Sequence, residues 1–131
     1  ATLRGIAIDV PDGKLYFADQ SKGKLFRVPI DGGELEELVA EITFPADVSL
    51  DLSNRKVYWC DQSRSVIERA NLDGSQRETV IETPAPYYLD LDPTENRLFW
   101  GDFSAGNINM VSLAGGDPVN LFSGQPRVVQ P

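Results

Sequence analysis

Two short runs, Asp47-Val-Ser-Leu-Asp51 and Tyr58-Trp-Cys-Asp61, decide the fold because the same pair occurs once before them and once after them. The earlier copy reads Gly5-Ile-Ala-Ile-Asp9 and Tyr16-Phe-Ala-Asp19, and the later copy reads Tyr88-Leu-Asp-Leu-Asp92 and Phe99-Trp-Gly-Asp102. The Asp that closes the second run recurs after 42 and then after 41 residues. A fixed period of this length indicates a repeat architecture, and three copies fill the chain.

Each copy contains four short apolar runs separated by turn-forming residues. In the second copy the runs are 48–50, 57–59, 66–70 and 79–81, and the breaks include Asp73-Gly74 and Thr83-Pro-Ala-Pro86. Runs of this length between Gly, Pro, Asn and Asp residues predict strands, so each copy is predicted to be a four-stranded antiparallel meander. Segment 33–40 also fits two amphipathic helical turns, but its place in the repeat predicts a strand.

The second strand of the middle copy, Lys56-Val-Tyr-Trp-Cys60, is apolar on both of its alternating faces. A sheet with two apolar faces is covered on both sides, and stacked sheets achieve this without helices. We therefore predict an all-β fold, a β-propeller of four-stranded antiparallel blades. Residues 1–125 are predicted to form three blades, at about 3–43, 44–84 and 85–124, and 126–131 a C-terminal tail. Three blades do not close a ring, so two sheet faces need a cover.

The composition of the 131 residues excludes several classes of function. With no histidine and a single cysteine, Cys60, the chain lacks the histidine-based catalytic groups and the usual structural zinc ligands. A net charge of −8 disfavours nucleic acid, and no apolar run approaches the ~20 residues of a membrane-spanning helix. We expect no nucleic-acid partner, no membrane insertion, no intrachain disulfide and no signal peptide in this chain.

Around Tyr58-Trp-Cys-Asp61 the sequence resembles the YWTD repeats of the low-density lipoprotein receptor family. The likeness includes Pro45, Leu50-Asp51 and the run Ile67-Glu-Arg-Ala-Asn-Leu-Asp-Gly74, and it extends over all three copies. The resemblance implies a six-bladed propeller that binds proteins or peptides in an extracellular or periplasmic location. Gluconolactonase-like and NHL-type six-bladed propellers are neighbouring families.

If six blades make the ring, this chain supplies half of it. Our leading hypothesis is a homodimer in which the first blade of each chain packs on the third blade of the other, because closed two-fold symmetry is the commonest assembly. The alternative is that the chain is a piece of a longer propeller, cut in a loop.

Two sets of aspartates recur at strand ends. Three close the second strands, each two residues before a serine: Asp19, Asp61 and Asp102. We interpret these as acceptors of backbone N–H groups that fix the following turn. Three more close the first strands, each five residues before a basic residue: Asp9, Asp51 and Asp92. They predict turn-spanning ion pairs, and the alternative is a hydrated cation at one mouth of the channel. The basic residues are Lys14, Lys56 and Arg97.

Asp90 stands at a first-strand position where the other copies have the small residues Ala7 and Ser49. A charge at an inward position is costly unless it is solvated or paired, so we expect Asp90 to lie in a water-filled channel. The alternative is a polar site on the axis, where two copies of Asp90 in a homodimer share a cation or a proton.

The second strands carry aromatic residues at matching positions: Tyr16, Phe17, Tyr58, Trp59, Phe99 and Trp100. In a doubly covered sheet we expect these side chains to pack between blades rather than to form a binding cage. Cys60 lies among them and is expected to be a buried, inert thiol.

Loop residues offer the candidates for ligand binding. The connections from strand four to the next strand one, and from strand two to strand three, emerge on one rim of a propeller. Aromatic and basic residues gather there: Lys22, Phe44, Arg64, Tyr87 and Phe103. Exposed aromatic rings and arginine anchor protein interfaces, so we predict a ligand-binding rim, with ordinary surface loops as the alternative.

Two functions of different classes follow. The first is a non-catalytic module that binds a protein or peptide through this rim, with no cofactor. The second is a metal-dependent, lactonase-like hydrolase in which channel carboxylates hold a divalent cation that activates water. The absence of histidine and the equivalent turn roles of Asp9, Asp51 and Asp92 favour the first.

Overall fold

The computed structural model describes residues 1–124, which form three consecutive four-stranded sheets. Blade 1 contains β1 (Leu3–Asp9), β2 (Lys14–Asp19), β3 (Lys24–Pro29) and β4 (Glu36–Val39). Blade 2 contains β5 (Pro45–Asp51), β6 (Lys56–Asp61), β7 (Val66–Asn71) and β8 (Glu78–Glu82). Blade 3 contains β9 (Pro86–Asp92), β10 (Arg97–Asp102), β11 (Ile108–Ser112) and β12 (Val119–Phe122).

Each sheet is an antiparallel meander in which consecutive strands are neighbours. The structure confirms the predicted all-β propeller architecture of four-stranded antiparallel blades. Segment 33–40 contributes strand β4, as its place in the repeat predicted. The predicted tail at 126–131 lies outside the described residues. Across residues 1–124, no helix has the length and apolarity needed to cross a membrane.

Adjacent blades pack face to face. Each blade has a leading face, toward the blade before it in the chain, and a trailing face, toward the blade after it. Successive side chains of a strand point to opposite faces, so each second strand serves both. In the first seam, between blades 1 and 2, Tyr16 and Leu25 of the trailing face pack with Val57 and Trp59 of the leading face. All four side chains are fully buried.

The second seam joins blades 2 and 3 in the same way. Tyr58 and Ile67 on the trailing face of blade 2 pack with Leu98 and Trp100 on the leading face of blade 3. Blade 2 is therefore covered on both sides. Residues 57–61 of strand β6 are all buried, which the doubly apolar sequence of this strand predicted.

Blades 1 and 3 each keep one face that no other blade of this chain covers. The open leading face of blade 1 presents Ile6, Ile8, Leu15, Phe17 and Phe26. The open trailing face of blade 3 presents Tyr88, Asp90, Phe99, Gly101, Ile108 and Met110. Of the second-strand aromatic residues, Phe17 and Phe99 thus lie on open faces, whereas the other four pack in the two seams.

Candidate functional site

Five side chains from all three blades meet on one rim, and we term them the rim cluster: Arg4, Phe44, Tyr87, Tyr88 and Phe103. Tyr87 lies at the centre, with its ring centroid 4.8 Å from that of Phe103, 5.0 Å from Tyr88 and 6.2 Å from Phe44. Phe44 comes from the loop before β5, and Phe103 from the loop after β10. The structure therefore brings together three of the five predicted rim residues.

A β-bulge positions Tyr87 in the cluster. The pairing of β9 with β10 shifts between Pro86 and Tyr88, so Tyr87 is the extra residue, and the other first strands shift near the same place. A bulge re-aims the side chain of the extra residue. Arg4 and Ala46 are the counterparts of Tyr87 in blades 1 and 2. In blade 1 the unpaired residue is Gly5, and Arg4 pairs with Ala18 of β2.

Arg4 provides the positive charge of the cluster. Its Cζ lies 5.9 Å from the ring centroids of both Phe44 and Tyr87, within reach of a cation–π interaction. Nη1 donates a hydrogen bond to Tyr87 Oη over 2.8 Å, and Nε donates one to Gln20 Oε1 over 2.9 Å. Among residues 1–124, no carboxylate oxygen lies within 4.0 Å of this guanidinium. A guanidinium has five N–H donors, so Arg4 keeps donors that these residues do not use.

The two other predicted rim residues lie outside the cluster. Lys22 Nζ is 5.8 Å from the ring centroid of Phe26, on the leading face of blade 1. Arg64 Nη1 is 3.9 Å from Asp61 and 3.6 Å from Glu68, in its own blade. Their charges are engaged locally, because both side chains find partners on the blade that carries them.

The rim candidates were predicted among loop residues, whereas the missed Arg4 lies in β1 and the missed Tyr88 in β9. Tyr87, predicted in a loop, also lies in β9. The signal that could have found Arg4 is its alignment with Tyr87, a residue already singled out. Tyr88 aligns with Gly5 and Asp47, and an aromatic ring at that position distinguishes blade 3.

Asp61 ties the loop that carries Phe44 to blade 2. The carboxylate is fully buried and accepts N–H groups from Thr43 over 2.8 Å, Phe44 over 3.0 Å and Arg64 over 3.2 Å. Three backbone donors on one carboxylate hold the entry to β5 and the turn after β6 in a fixed relation. Asp61 therefore fixes the loop that carries Phe44 of the rim cluster.

The equivalent aspartates of blades 1 and 3 make fewer such bonds. Asp19 accepts the hydroxyl of Ser21 over 2.6 Å, and this bond is the main cause that lowers the pKa of Asp19. Asp19 also accepts backbone N–H groups from Thr2 and Ser21. Asp102 accepts the N–H of Ala105 over 2.7 Å. All three aspartates act as turn-fixing acceptors.

The predicted turn-spanning ion pairs form in blade 3 but not in blades 1 and 2. Arg97 Nη2 lies 2.7 Å from Asp92, and its hydrogen bond lowers the pKa of that carboxyl. The prediction is wrong for the two lysines: Lys14 pairs with Glu36 at 3.3 Å, and Lys56 donates to Asn71 over 2.7 Å. Long lysine side chains keep their charged ends in water and so do not follow a carboxylate that turns inward.

Asp9 and Asp51 are the carboxylates that turn inward, at 0% and 1% exposed. Asp51 accepts the backbone and side-chain N–H groups of Asn54 over 3.2 and 2.9 Å. Asp9 accepts the N–H of Asp12 over 3.2 Å and lies 3.5 Å from Arg55. Within the described residues, no group of three or more His, Cys, Asp or Glu side chains is arranged to hold a metal ion.

Asp90 is exposed and interacts with Asp47 of blade 2, which the sequence had not singled out. Asp47 Oδ1 accepts the N–H of Val48 over 2.9 Å, and Oδ2 accepts that of Leu89 over 3.0 Å, across the second seam. Burial raises the pKa of Asp47, and the negative charge of Asp90 raises it further. The other blades have Gly5 and Tyr88 at this position, which is the signal that could have marked Asp47.

Cys60 is a free, fully buried thiol in the second seam. Burial raises its pKa well above the ordinary value, and the charges of Asp47 and Asp61 act in the same direction. A thiol that stays protonated and inaccessible is a poor nucleophile, so Cys60 contributes packing and not chemistry.

A hollow of about 500 Å³ opens on the trailing face of blade 3. Its walls include residues of the first and second strands, and it borders the rim cluster through Tyr88: Asp47, Tyr88, Asp90, Phe99, Gly101 and Ile108. The hollow and the rim cluster are therefore neighbouring features, one on a blade face and one at its edge.

The sequence matches no protein-family model and no curated protein. A chain of the crystal structure of a nidogen/laminin complex matches 92% of this chain, with a TM-score of 0.87 and 27% identity. A gluconolactonase from Xanthomonas campestris matches 93% with a TM-score of 0.80 and 13% identity. A virginiamycin B lyase from Staphylococcus aureus matches 91% with a TM-score of 0.72 and 16% identity.

This chain spans about half the length of the structures it matches: 48% of the first, 48% of the second and 40% of the third. The likenesses support the propeller fold. The matched structures include both a protein complex and enzymes, and a shared fold does not decide between those functions. The function has to be argued from the site.

Proposed function

We propose that this chain is a non-catalytic binding module that captures a protein or peptide ligand on the rim cluster. The observation that carries the proposal is Arg4, a guanidinium held between aromatic rings with no carboxylate partner in the described part of the chain. An arginine with unused donors beside exposed aromatic side chains is the combination that anchors protein interfaces.

The cluster fits a ligand that carries one carboxylate beside an apolar or aromatic side chain. The planar fork of Arg4 suits a carboxylate, which can accept two parallel hydrogen bonds. Phe103 is 60% exposed, so its ring is open to stacking. The net charge of −8 repels strongly acidic ligands, which favours a single carboxylate over an acidic run.

The likeness to a chain in a nidogen/laminin complex, at 27% identity, supports a binding role because that structure is a complex between two proteins. The likeness to the gluconolactonase, at 13% identity, supports the fold alone. The hydrolase alternative draws no comparable support from its carboxylates, since Asp9 and Asp51 are buried and already accept hydrogen bonds within their own turns.

The same proposal includes ring closure. Two copies of the chain would form one six-bladed homodimeric propeller, with two rim clusters around one channel mouth. Both open faces are apolar, so each needs a partner.

The rim proposal is tested with a capped peptide that carries one aspartate next to one phenylalanine. Binding is followed by the NMR shifts of the aromatic ring protons. Arg4→Gln is expected to weaken binding by about tenfold or more, because a charge-assisted bidentate contact is lost. Arg64→Gln is the matched control, since Arg64 lies on the same rim but outside the cluster, and it should bind like the wild type.

A second peptide, with asparagine in place of the aspartate, completes the cycle. It should bind the wild type as weakly as the aspartate peptide binds Arg4→Gln, because both changes remove the same contact. Equal affinity of the wild type and Arg4→Gln for the aspartate peptide would contradict the proposal, and so would the absence of any binding by the wild type.

A further inference from the structure

The trailing face of blade 3 is more apolar than the trailing faces of blades 1 and 2. On blades 1 and 2, a tyrosine, an arginine and a glutamate stand side by side on neighbouring strands: Tyr16, Arg27 and Glu36, and Tyr58, Arg69 and Glu78. The same positions of blade 3 hold Phe99, Met110 and Val119. At these three positions the face that no blade of this chain covers carries apolar side chains where the covered faces carry polar ones, the reverse of what exposure to water favours. Asp90 is the charged residue on the same face.

The glycine at the centre of this face leaves room for a group from outside. In the first seam the small residue Ala18 lies with Trp59, and in the second seam Cys60 lies with Trp100. Gly101 is the third member of this series. A Cβ at this position would lie 3.6 Å from the nearest atom, an ordinary contact, so the backbone does not demand glycine. The hollow of about 500 Å³ lies over this residue.

The leading face of blade 1 carries the matching large residue. Phe17 is the counterpart of Trp59 and Trp100, the aromatic residues that fill the two seams. Its ring stacks on Phe26, with centroids 5.5 Å apart, so it is held in a fixed orientation. Ile6, on the same face, is 67% exposed. The chain therefore presents an aromatic side chain at one end and a hollow at the other.

We infer that Phe17 of a second copy seats in the hollow over Gly101, so that the leading face of its blade 1 covers the trailing face of blade 3. Three blades span half of a six-bladed ring, so the same contact made in both directions closes the ring with two copies. The inference rests on the ring closure proposed above and names the contact that makes it. A second copy can occupy the hollow because this chain carries both halves of the contact that the repeat makes in its two seams.

The test is the molar mass of the full chain by sedimentation velocity at micromolar concentrations. The wild type is expected to be a dimer. Phe17→Asp and Gly101→Phe are each expected to weaken dimerisation about a hundredfold, because each alters both seams between the copies and a buried aromatic anchor is worth about tenfold or more. Ile30→Asp is the matched control, since Ile30 is 52% exposed but lies on neither open face, and it should keep the wild-type mass.

Mixing the two variants gives a sharper result. In the mixed dimer, one seam joins an unaltered Phe17 to an unaltered Gly101, and the other seam contains both changes. A contact that is already lost cannot be lost again, so the mixed dimer is expected to be about tenfold tighter than either variant alone. Circular dichroism of each variant checks that the blades are folded, and Gly101→Phe carries the test if Phe17→Asp unfolds.

Three results would overturn the inference. The first is a wild type that stays monomeric throughout the concentration range. The second is an Ile30→Asp variant that dissociates as readily as Phe17→Asp. The third is a mixture of the two variants that forms no tighter dimer than either variant alone. A wild-type monomer is also what a chain completed by further blades of a longer polypeptide would give. Peptide binding is measured separately. A monomer that binds the aspartate peptide would contradict the dimer contact but not the rim proposal. A dimer that does not bind the peptide would contradict the rim proposal but not the dimer contact.

Discussion

The two seams are built from the same repeat positions but are held together differently. Both bury a tyrosine and a tryptophan between neighbouring sheets. The first seam adds three arginine bridges: Arg27 to Leu72 O over 2.9 Å, Arg77 to Ala40 O over 2.6 Å, and Arg55 to Asp9 at 3.5 Å. Each bridge joins blade 1 to blade 2, so the first seam is fastened by polar contacts at three separate points.

The second seam is bridged by other groups and has more open space. Three hydrogen bonds cross it: Leu89 N–H to Asp47 over 3.0 Å, Trp100 Nε1 to Thr83 Oγ1 over 3.1 Å, and Ala85 N–H to Ser65 Oγ over 3.4 Å. Grooves of about 330, 360 and 410 Å³ open between blades 2 and 3. The repeat therefore fixes the apolar contact, whereas the partners that individual arginines take decide how firmly neighbouring blades are joined: Arg27 crosses its seam, but its counterpart Arg69 bonds within its own blade.

The largest expected loss of stability comes from truncating the tryptophan that fills the first seam. Trp59→Ala removes a fully buried side chain from a seam that cannot close over the cavity, and is expected to lower the free energy of unfolding by about 3–5 kcal/mol. Trp100→Ala is expected to cost about 2–3 kcal/mol, because the grooved second seam can relax around the gap. Urea unfolding at one fixed protein concentration measures both. Equal losses would mean that the two seams are equally rigid.

The next effect concerns the aspartates beneath the rim. Asp61→Asn removes one acceptor from a carboxylate that takes three backbone N–H groups, and an unpaired buried donor costs about 2–3 kcal/mol. Asp102→Asn is expected to cost about 1 kcal/mol, since Asp102 takes the N–H of Ala105. Thermal unfolding ranks the two variants. A larger loss at Asp102 would show that the turn in blade 3, and not the loop before blade 2, depends on its carboxylate.

The sequence predicted the blades because their physics is local and repeated. Alternating apolar residues and turn formers recur at one period, so each strand and turn is supported by two further copies. The burial of residues 57–61 also followed from the sequence, since a strand that is apolar on both faces has to be covered on both.

Contacts between side chains that are far apart in the sequence could not be predicted in the same way. Lys14 has several carboxylates within reach of its flexible side chain, and it pairs with Glu36, 22 residues away, rather than with Asp9. Arg4 and Tyr87, the heart of the rim cluster, are 83 residues apart. The pattern within one repeat holds no information about such contacts, because they depend on how separate blades stack.

A smaller effect tests the arginine bridges directly. Arg27→Met removes the shorter of the two hydrogen bonds that the Leu72 carbonyl accepts across the first seam and leaves only the bond from Tyr16 Oη, over 3.4 Å. It is expected to cost about 1–2 kcal/mol. Arg69→Met is the matched control, because the partners of Arg69 are Tyr58 and Glu78 of its own blade, and it should cost about 0.5 kcal/mol. Methionine is the residue that blade 3 has at this position, Met110. Native-state hydrogen exchange should show faster opening of blade 1 only in Arg27→Met.

The smallest expected effect tests the second seam through its carboxylate. The pKa of Asp47 is raised, first by burial and then by the charge of Asp90, so the folded chain holds this proton more tightly than the unfolded chain does. Stability is therefore lost as the pH rises between the unfolded and the folded pKa, and regained as it falls. Asp90→Asn removes the like charge, and is expected to move the pKa of Asp47 down and to narrow that pH window.

The titration of the Asp47 carboxyl carbon by NMR measures this shift, with Asp31→Asn as the control because Asp31 is exposed in a turn of blade 1. An unchanged titration in Asp90→Asn would mean that water screens the exposed charge, and that burial alone sets the pKa of Asp47. Asp47 accepts the N–H of Leu89 across the second seam, so the protonation of one carboxyl there reports on a seam that has few other polar contacts.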